Sequence, residues 1–235
     1  MTVVDITGST ALITGANRGL GRQFALQLLE RGAAKVYATA RVPETVDVPE
    51  AHVLRLDVTD PASVAAVAAA APDVTLLVNN AGVSTATNLV TGDLARIRQE
   101  LDTNFYGPLA MVRAFAPILA AGGGGAILNV LSRLAWLSYD GANAYAASKA
   151  AAWSLTNGVR LELAAQGTLV TGLFLSSTDT DMMAGWDIPK NDPADVVRAA
   201  LDGLQAGALE VLADQESVDA KAALGADPAE VYALV

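Results

Sequence analysis

Short apolar runs rich in β-branched residues alternate along the chain with longer stretches whose apolar positions recur at helical spacing, which predicts repeated strand–helix–strand units. Residues 10–14 (Thr-Ala-Leu-Ile-Thr), 35–40, 53–56 and 74–78 read as the first four strands. Between them, residues 19–31 form a helix closed by Gly32. Asp60-Pro61 opens an alanine-rich helix, with Asp as N-cap and Pro at the first helical position. A long helix is predicted from about residue 104 to 120, ending in the glycine turn 122–125. Strands at 126–130 and 169–175 flank a helix over 143–165, Asp192-Pro193 caps another helix, and 209–213 supplies a last strand. The strand at 74–78 is nearly continuous in apolar residues, as burial on both faces of a parallel sheet demands. No internal repeat and no long linker interrupts the pattern. The prediction is one α/β domain over residues 1–235, a three-layer α/β/α sandwich around a doubly wound parallel sheet.

Composition narrows the chemistry. Of 235 residues, 52% are hydrophobic and 17% charged, enough for a continuous packed core. No apolar run reaches the ~18 residues a membrane span needs. The stretch Met1 to Asp5 lacks the basic patch and long apolar segment of a secretory leader, so a cytoplasmic location is expected. There is no cysteine, which removes disulfides, thiolate nucleophiles and cysteine-containing metal sites. His52 is the only histidine, beside a predicted strand start, which argues strongly against a Ser-His-Asp triad and a histidine metal cluster. The net charge of −10 argues against nucleic acid and anionic membranes as partners.

The segment Thr14-Gly15-Ala16-Asn17-Arg18-Gly19-Leu20-Gly21 directly follows the first strand and opens the first helix. Glycines there permit a tight turn and close approach of backbone to a pyrophosphate, whose charge faces the helix N-terminus. At the end of the second strand, where NAD sites place an acid to accept from the ribose hydroxyls, this chain has Ala40 followed by Arg41. Arg41 and Arg18 together suit a ribose 2′-phosphate, so NADP(H) is expected in preference to NAD(H).

The chain strongly resembles the short-chain dehydrogenase/reductase family, in its compact single-domain branch with a Rossmann-type sheet. The glycine segment has that family's Thr-Gly-x-x-x-Gly-x-Gly spacing, and Asn79-Asn80-Ala81-Gly82 follows the fourth strand. Tyr145-Ala146-Ala147-Ser148-Lys149 supplies the Tyr-x-x-x-Lys pair, Ser132 lies at the usual place upstream, and Asn104 matches the fourth active-site member. The resemblance implies that Asp57 and Val58 hold the adenine, and that Asn79, Ala81 and Gly82 line the adenosine ribose. It also implies that Thr178 and Thr180 contact the nicotinamide amide. One departure is visible: Leu175-Ser176 stands where the family usually has Pro-Gly.

Tyr145 and Lys149 are four apart on a predicted helix and so share a face. A free phenol titrates near ~10, and a neighbouring ammonium together with an oxidised nicotinamide is expected to lower it. Tyr145 could then exchange a proton with a carbonyl oxygen as hydride moves, while Ser132 holds that oxygen. Lys149 is expected to reach the nicotinamide ribose and Asn104 to hold a water path from Lys149 to solvent. Residues 176–190 are expected to form a substrate lid. With Leu134, Trp136, Phe174, Met183 and Trp186 the lid would make an apolar pocket for a medium-sized hydrophobic ketone, aldehyde or secondary alcohol. Two alternatives stand beside this reading: a cofactor-binding redox sensor without turnover, and a ketoreductase of a fatty-acid or polyketide pathway. The helices predicted at 104–120 and 143–165 are apolar on more than one face, which predicts a homodimer or homotetramer.

Overall fold

A computed structural model describes residues 4–233. Met1 to Val3, part of the N-terminal stretch read above for a leader, lie outside the described residues. Seven parallel strands form one sheet: β1 (Thr10–Thr14), β2 (Lys35–Ala40), β3 (His52–Arg55), β4 (Leu76–Asn79), β5 (Gly125–Val130), β6 (Thr168–Phe174) and β7 (Glu210–Leu212). Their spatial order is β3-β2-β1-β4-β5-β6-β7. The winding reverses between β1 and β4, so a crevice opens beyond the carboxyl ends of these strands. This is the expected α/β/α sandwich of Rossmann type.

Each face of the sheet buries its own core. Ala11 and Ile13 of β1 pack with Phe24 and Leu28 of α1 (Gly19–Glu30) and with Leu201 and Leu204 of a later helix on the same face, Pro193–Gln205. Leu12, between them in sequence, points the other way. It packs with Val64 and Val67 of α2 (Pro61–Ala70) and with Phe115 and Val159 from two later helices, Gly107–Ala121 and Asn143–Glu162. With α3 (Leu94–Leu101) counted in chain order, those three later helices are α4 (Gly107–Ala121), α5 (Asn143–Glu162) and α6 (Pro193–Gln205). Two short helices close the chain, α7 (Gln215–Ala222) and α8 (Pro228–Val231). Among the described residues no helix is long and apolar enough to cross a membrane.

The structure departs from the sequence pattern in several places: β4 starts two residues late, and α7 and α8 were not expected. β3 lies one residue earlier than expected because it is an edge strand, largely exposed, with little apolar signal to mark its ends. α3 was not expected: only Leu94, Ile97 and Leu101 punctuate its charged sequence, and its start is set by Asp93 accepting from the Ala95 amide at 2.7 Å. The long helix expected from residue 104 begins instead as a π-helical turn, Asp102–Tyr106, that joins α3 to α4 and in which the Gly107 N–H reaches back to the Asp102 carbonyl. Such wide turns often mark functional sites, because they swing one side chain off the regular helical face. Here that side chain is Asn104.

Candidate active site

After β1 the chain passes through Gly15 (φ 67°) and Gly19 (φ 51°), conformations that side chains disfavour, before entering α1. A Cβ on Gly21 would sit 2.0 Å from the Gly15 carbonyl oxygen, so only glycine lets the helix start this close to the turn. Arg18 occupies the N-cap position in extended conformation without a side-chain cap, and the first turn holds no acid. The first amides of α1 are therefore free to receive an anion, and the bare glycine cradle fits a dinucleotide pyrophosphate. Asn17 and Leu20 flank the turn, both half-buried.

The turn is braced from β4. Asn80 Nδ2 donates to the Thr14 carbonyl at 2.9 Å and the Gly15 carbonyl at 3.0 Å, while Thr14 Oγ1 accepts the amides of Asn80 and Ala81. Asn79 faces the other way, into the sheet, and donates to Asn129 Oδ1 at 2.9 Å; Asn129 in turn donates to Thr156. Strand alternation explains the division of labour, since adjacent residues leave opposite faces. The doublet was visible in the sequence, but the bracing partner is Asn80.

Toward the ribose end, Arg41 is exposed just past β2. The Asp57 carboxyl is held below its usual range, first by hydrogen bonds from Thr59 and further by the nearby charge of Arg41. Val58 packs beneath Gly107, where a Cβ would come within 2.8 Å of its methyl. Arg18 donates to Asp181 at 2.7 Å, both side chains 65% exposed, so the glycine turn and the segment after β6 touch in a weak surface pair. Thr180 leans on the same turn, its methyl 3.1 Å from where a Gly19 Cβ would lie. Thr178 bridges to Asn191, and Asn191 and the Ser176 amide both donate to Asp214 Oδ2. The Ser176 amide thus has a partner of its own at the place where the chain carries Leu175-Ser176.

Beyond β5 and along α5 the side chains of Ser132, Tyr145 and Lys149 meet. Lys149 Nζ donates to the Val130 carbonyl at 2.8 Å and lies 5.5 Å from the centre of the Tyr145 ring. Ser132, two residues past β5, accepts from the Leu134 amide at 3.1 Å, its hydroxyl stands 3.4 Å from the Leu175 carbonyl, and it shares hydrogen bonding with Tyr145. Asn104 is fully committed: its amide group donates to the Val83 carbonyl and to Ser148 Oγ and accepts the Val83 amide, each at 2.9 Å. Asn79, Asn104, Asn129 and Lys149 line a cavity of about 10 Å³, room for about one water, which also takes in Ala81. Gly82 closes over the same amine; a Cβ there would stand 3.3 Å from Asn104 Oδ1 and 3.9 Å from Lys149 Nζ.

In the protein alone, burial governs the electrostatics of the pair. Burial pushes the Lys149 ammonium down to about 8. Burial also pushes the Tyr145 phenol up, opposed by hydrogen bonding with Ser132 and reinforced by the charge of Glu100. In this state of the site the phenol is held neutral rather than acidified, because loss of water penalises both charged forms.

The residues expected to line a substrate pocket are divided. Phe174 is fully buried and stacks on Trp136, centroids 4.1 Å apart, with Trp153 edge-on at 6.0 Å and Lys221 over the Trp136 ring at 4.9 Å. These form a packed cluster with α7. Leu134 and Met183 are half-buried, and Trp186 is 59% exposed in the segment after β6. Two further contributors carried no sequence signal. Asn88 accepts from the Gly141 amide at 2.7 Å and from Asn143 at 3.0 Å, fixing the entry to α5. Glu100 is buried in α3 beside the same segment.

A glycine turn at a switch point, with Ser132 just past β5 facing Tyr145 and Lys149 of α5, sits on a Rossmann-type sheet. The sequence matches the short chain dehydrogenase family over residues 9–190. A short chain dehydrogenase from Burkholderia cenocepacia, crystallised in complex with NADP, superposes with a TM-score of 0.93 at 38% identity over 98% of both chains. The NADPH-dependent 1-acyldihydroxyacetone phosphate reductase of Schizosaccharomyces pombe is 35% identical over 182 residues, 74% of this chain and 61% of that protein. A short chain dehydrogenase of Aspergillus terreus is 32% identical over 201 residues, and the chain spans 44% of its length. The chain belongs to the short-chain dehydrogenase family.

Proposed function

We propose that this protein is an NADP(H)-dependent carbonyl reductase or alcohol dehydrogenase for a medium-sized hydrophobic substrate, with Tyr145 as acid and base. The observation that carries the reading is the placement of Lys149 Nζ 5.5 Å from the Tyr145 ring and on the last carbonyl of β5, two residues before Ser132. A nicotinamide nucleotide held at the glycine turn and by Lys149 would supply the hydride that the carbonyl carbon receives. Ser132 orients the carbonyl oxygen with its hydroxyl, whose bond to the Leu175 carbonyl is long at 3.4 Å. Tyr145 gives its proton to that oxygen, and in alcohol oxidation takes one back. Lys149 spends one of its three donors on Val130, leaving two for ribose hydroxyls and for the charge that appears on Tyr145. Asn104 fixes the loop after β4 and the first turns of α5 around this amine.

Ala40, Arg41 and Arg18 support NADP(H) over NAD(H), and the names of the Burkholderia and Schizosaccharomyces proteins point the same way. Replacing both Arg18 and Arg41 by Ala is expected to weaken NADPH binding about 10- to 100-fold, the value of one or two charge-assisted hydrogen bonds, with NADH affinity unchanged. Titration with both nucleotides checks this, and equal losses for the two would remove the case for a 2′-phosphate site. For the activity itself, NADPH consumption is measured with a panel of hydrophobic ketones and aldehydes. Tight NADPH binding with no turnover on any of them would favour a cofactor sensor instead.

A further inference from the structure

Glu100 stands apart from the machinery described so far. Its side chain is 0% exposed, and no basic side chain pairs with it among the described residues. Oε1 accepts from the Thr85 amide and, at 2.8 Å, from the Thr85 hydroxyl; Oε2 is buried without a partner. A carboxyl in such a place is costly to bury. What it holds therefore identifies its use.

The bonds run toward Tyr145. Thr85 spends its hydroxyl hydrogen on Glu100, so across the 2.8 Å contact between the two hydroxyls Thr87 is the donor. The Thr87 carbonyl accepts the Ala144 amide at 3.0 Å. That amide belongs to the first turn of α5, a helix whose N-cap, Ala142, offers no side-chain cap. Thr87 thus satisfies an N-terminal donor that the helix cannot satisfy itself. Between the two threonines Ala86 is held at φ 52°, a strained conformation that persists only where its surroundings over-determine it. One turn along from Glu100, Asn104 pins Val83 and Ser148, and Ser148 donates to the Tyr145 carbonyl at 2.7 Å. Loop 83–87 is therefore bolted to α3 and the π turn at two points, and the start of α5 rests on it. The Glu100 charge also acts on the Tyr145 phenol, which places the two within electrostatic reach.

We propose that Glu100 is a positioning residue: its buried carboxyl, through Thr85 and Thr87, sets the first turn of α5 and with it the aim of the Tyr145 hydroxyl. This rests on Tyr145 being the proton donor. Glu100→Leu removes the acceptor, Glu100→Gln keeps it, and Thr85→Val deletes the hydroxyl link.

Each variant is assayed with the full chain for melting temperature, NADPH affinity, KM and kcat, with Tyr145→Phe in parallel. Glu100→Leu is expected to keep NADPH affinity and KM within about threefold while kcat falls by up to about 100-fold, the cost of misplacing a reacting group by an ångström. Glu100→Gln is expected to recover kcat to within about threefold of the parent, and Thr85→Val to lose roughly fivefold. A folded Glu100→Leu with parental kcat, or one whose NADPH affinity falls as much as kcat, overturns the proposal. Should Glu100→Leu fail to fold, Thr85→Val decides, and parental kcat there overturns it equally. An active Tyr145→Phe would instead remove the proton-donor reading on which the proposal stands, a separate failure visible in the same experiment.

Discussion

Replacing Tyr145 by Phe is expected to leave a folded protein that binds NADPH as before and reduces ketones about a thousandfold more slowly, the usual worth of a positioned general acid. The ring is half-buried against Lys149, and Phe keeps its shape and packing. Only the hydroxyl is lost, with its hydrogen bonding to Ser132, so the change in stability stays within about 1.5 kcal/mol. Steady-state kinetics beside a nucleotide titration checks both halves. Turnover close to that of the parent would mean that another group, or water, delivers the proton.

Lys149→Met should have a double effect, abolishing most turnover while raising the melting temperature. Burial holds the Lys149 ammonium at about 8 in the folded protein against an ordinary value of 10.5. At neutral pH that difference disfavours the folded state by about 3 kcal/mol. Methionine removes the buried charge and fills similar space but leaves the Val130 carbonyl without its donor, a loss of about 1 kcal/mol. A net gain of about 2 kcal/mol corresponds to roughly 5 °C for a domain of this size.

The sign of the pH dependence follows from the lowered value. Below about 8 the amine is charged in both folded and unfolded chains, and the penalty is fully present. Between about 8 and 10.5 the folded chain loses its proton first, so the parent gains stability as pH rises and the advantage of Lys149→Met shrinks. Melting curves at pH about 7 and about 10 check this. A gap that stays constant across that range would mean that Lys149 is not the buried cation described. A trade of stability for a buried charge is what a functional site is expected to show.

Much of this was legible in the chain itself. Alternating runs named the parallel sheet, because strands buried on both faces cannot avoid being apolar. Gly15, Gly19 and Gly21 announced the turn, since positive φ and a 2.0 Å approach leave no other residue possible. Tyr145 and Lys149 announced a shared helical face by their spacing alone. Such features are local, and local geometry is written in neighbouring residues.

What the chain could not disclose was which distant groups meet. Asn80 rather than Asn79 braces the turn because of the pleat of β4, and Asn104 acquires its aim from a π turn that no hydrophobic period marks. Phe174 and Trp136 read as pocket residues by type, yet they stack under Lys221 from a helix beyond the last expected strand. The phenol, which an ammonium and an oxidised nicotinamide together are expected to acidify, is pushed up by burial in the protein alone. Sequence spacing determines who shares a helix face, but desolvation and long-range hydrogen bonds depend on everything packed around that face. Only the tertiary structure decides those, because they are properties of an enclosed volume and not of a chain.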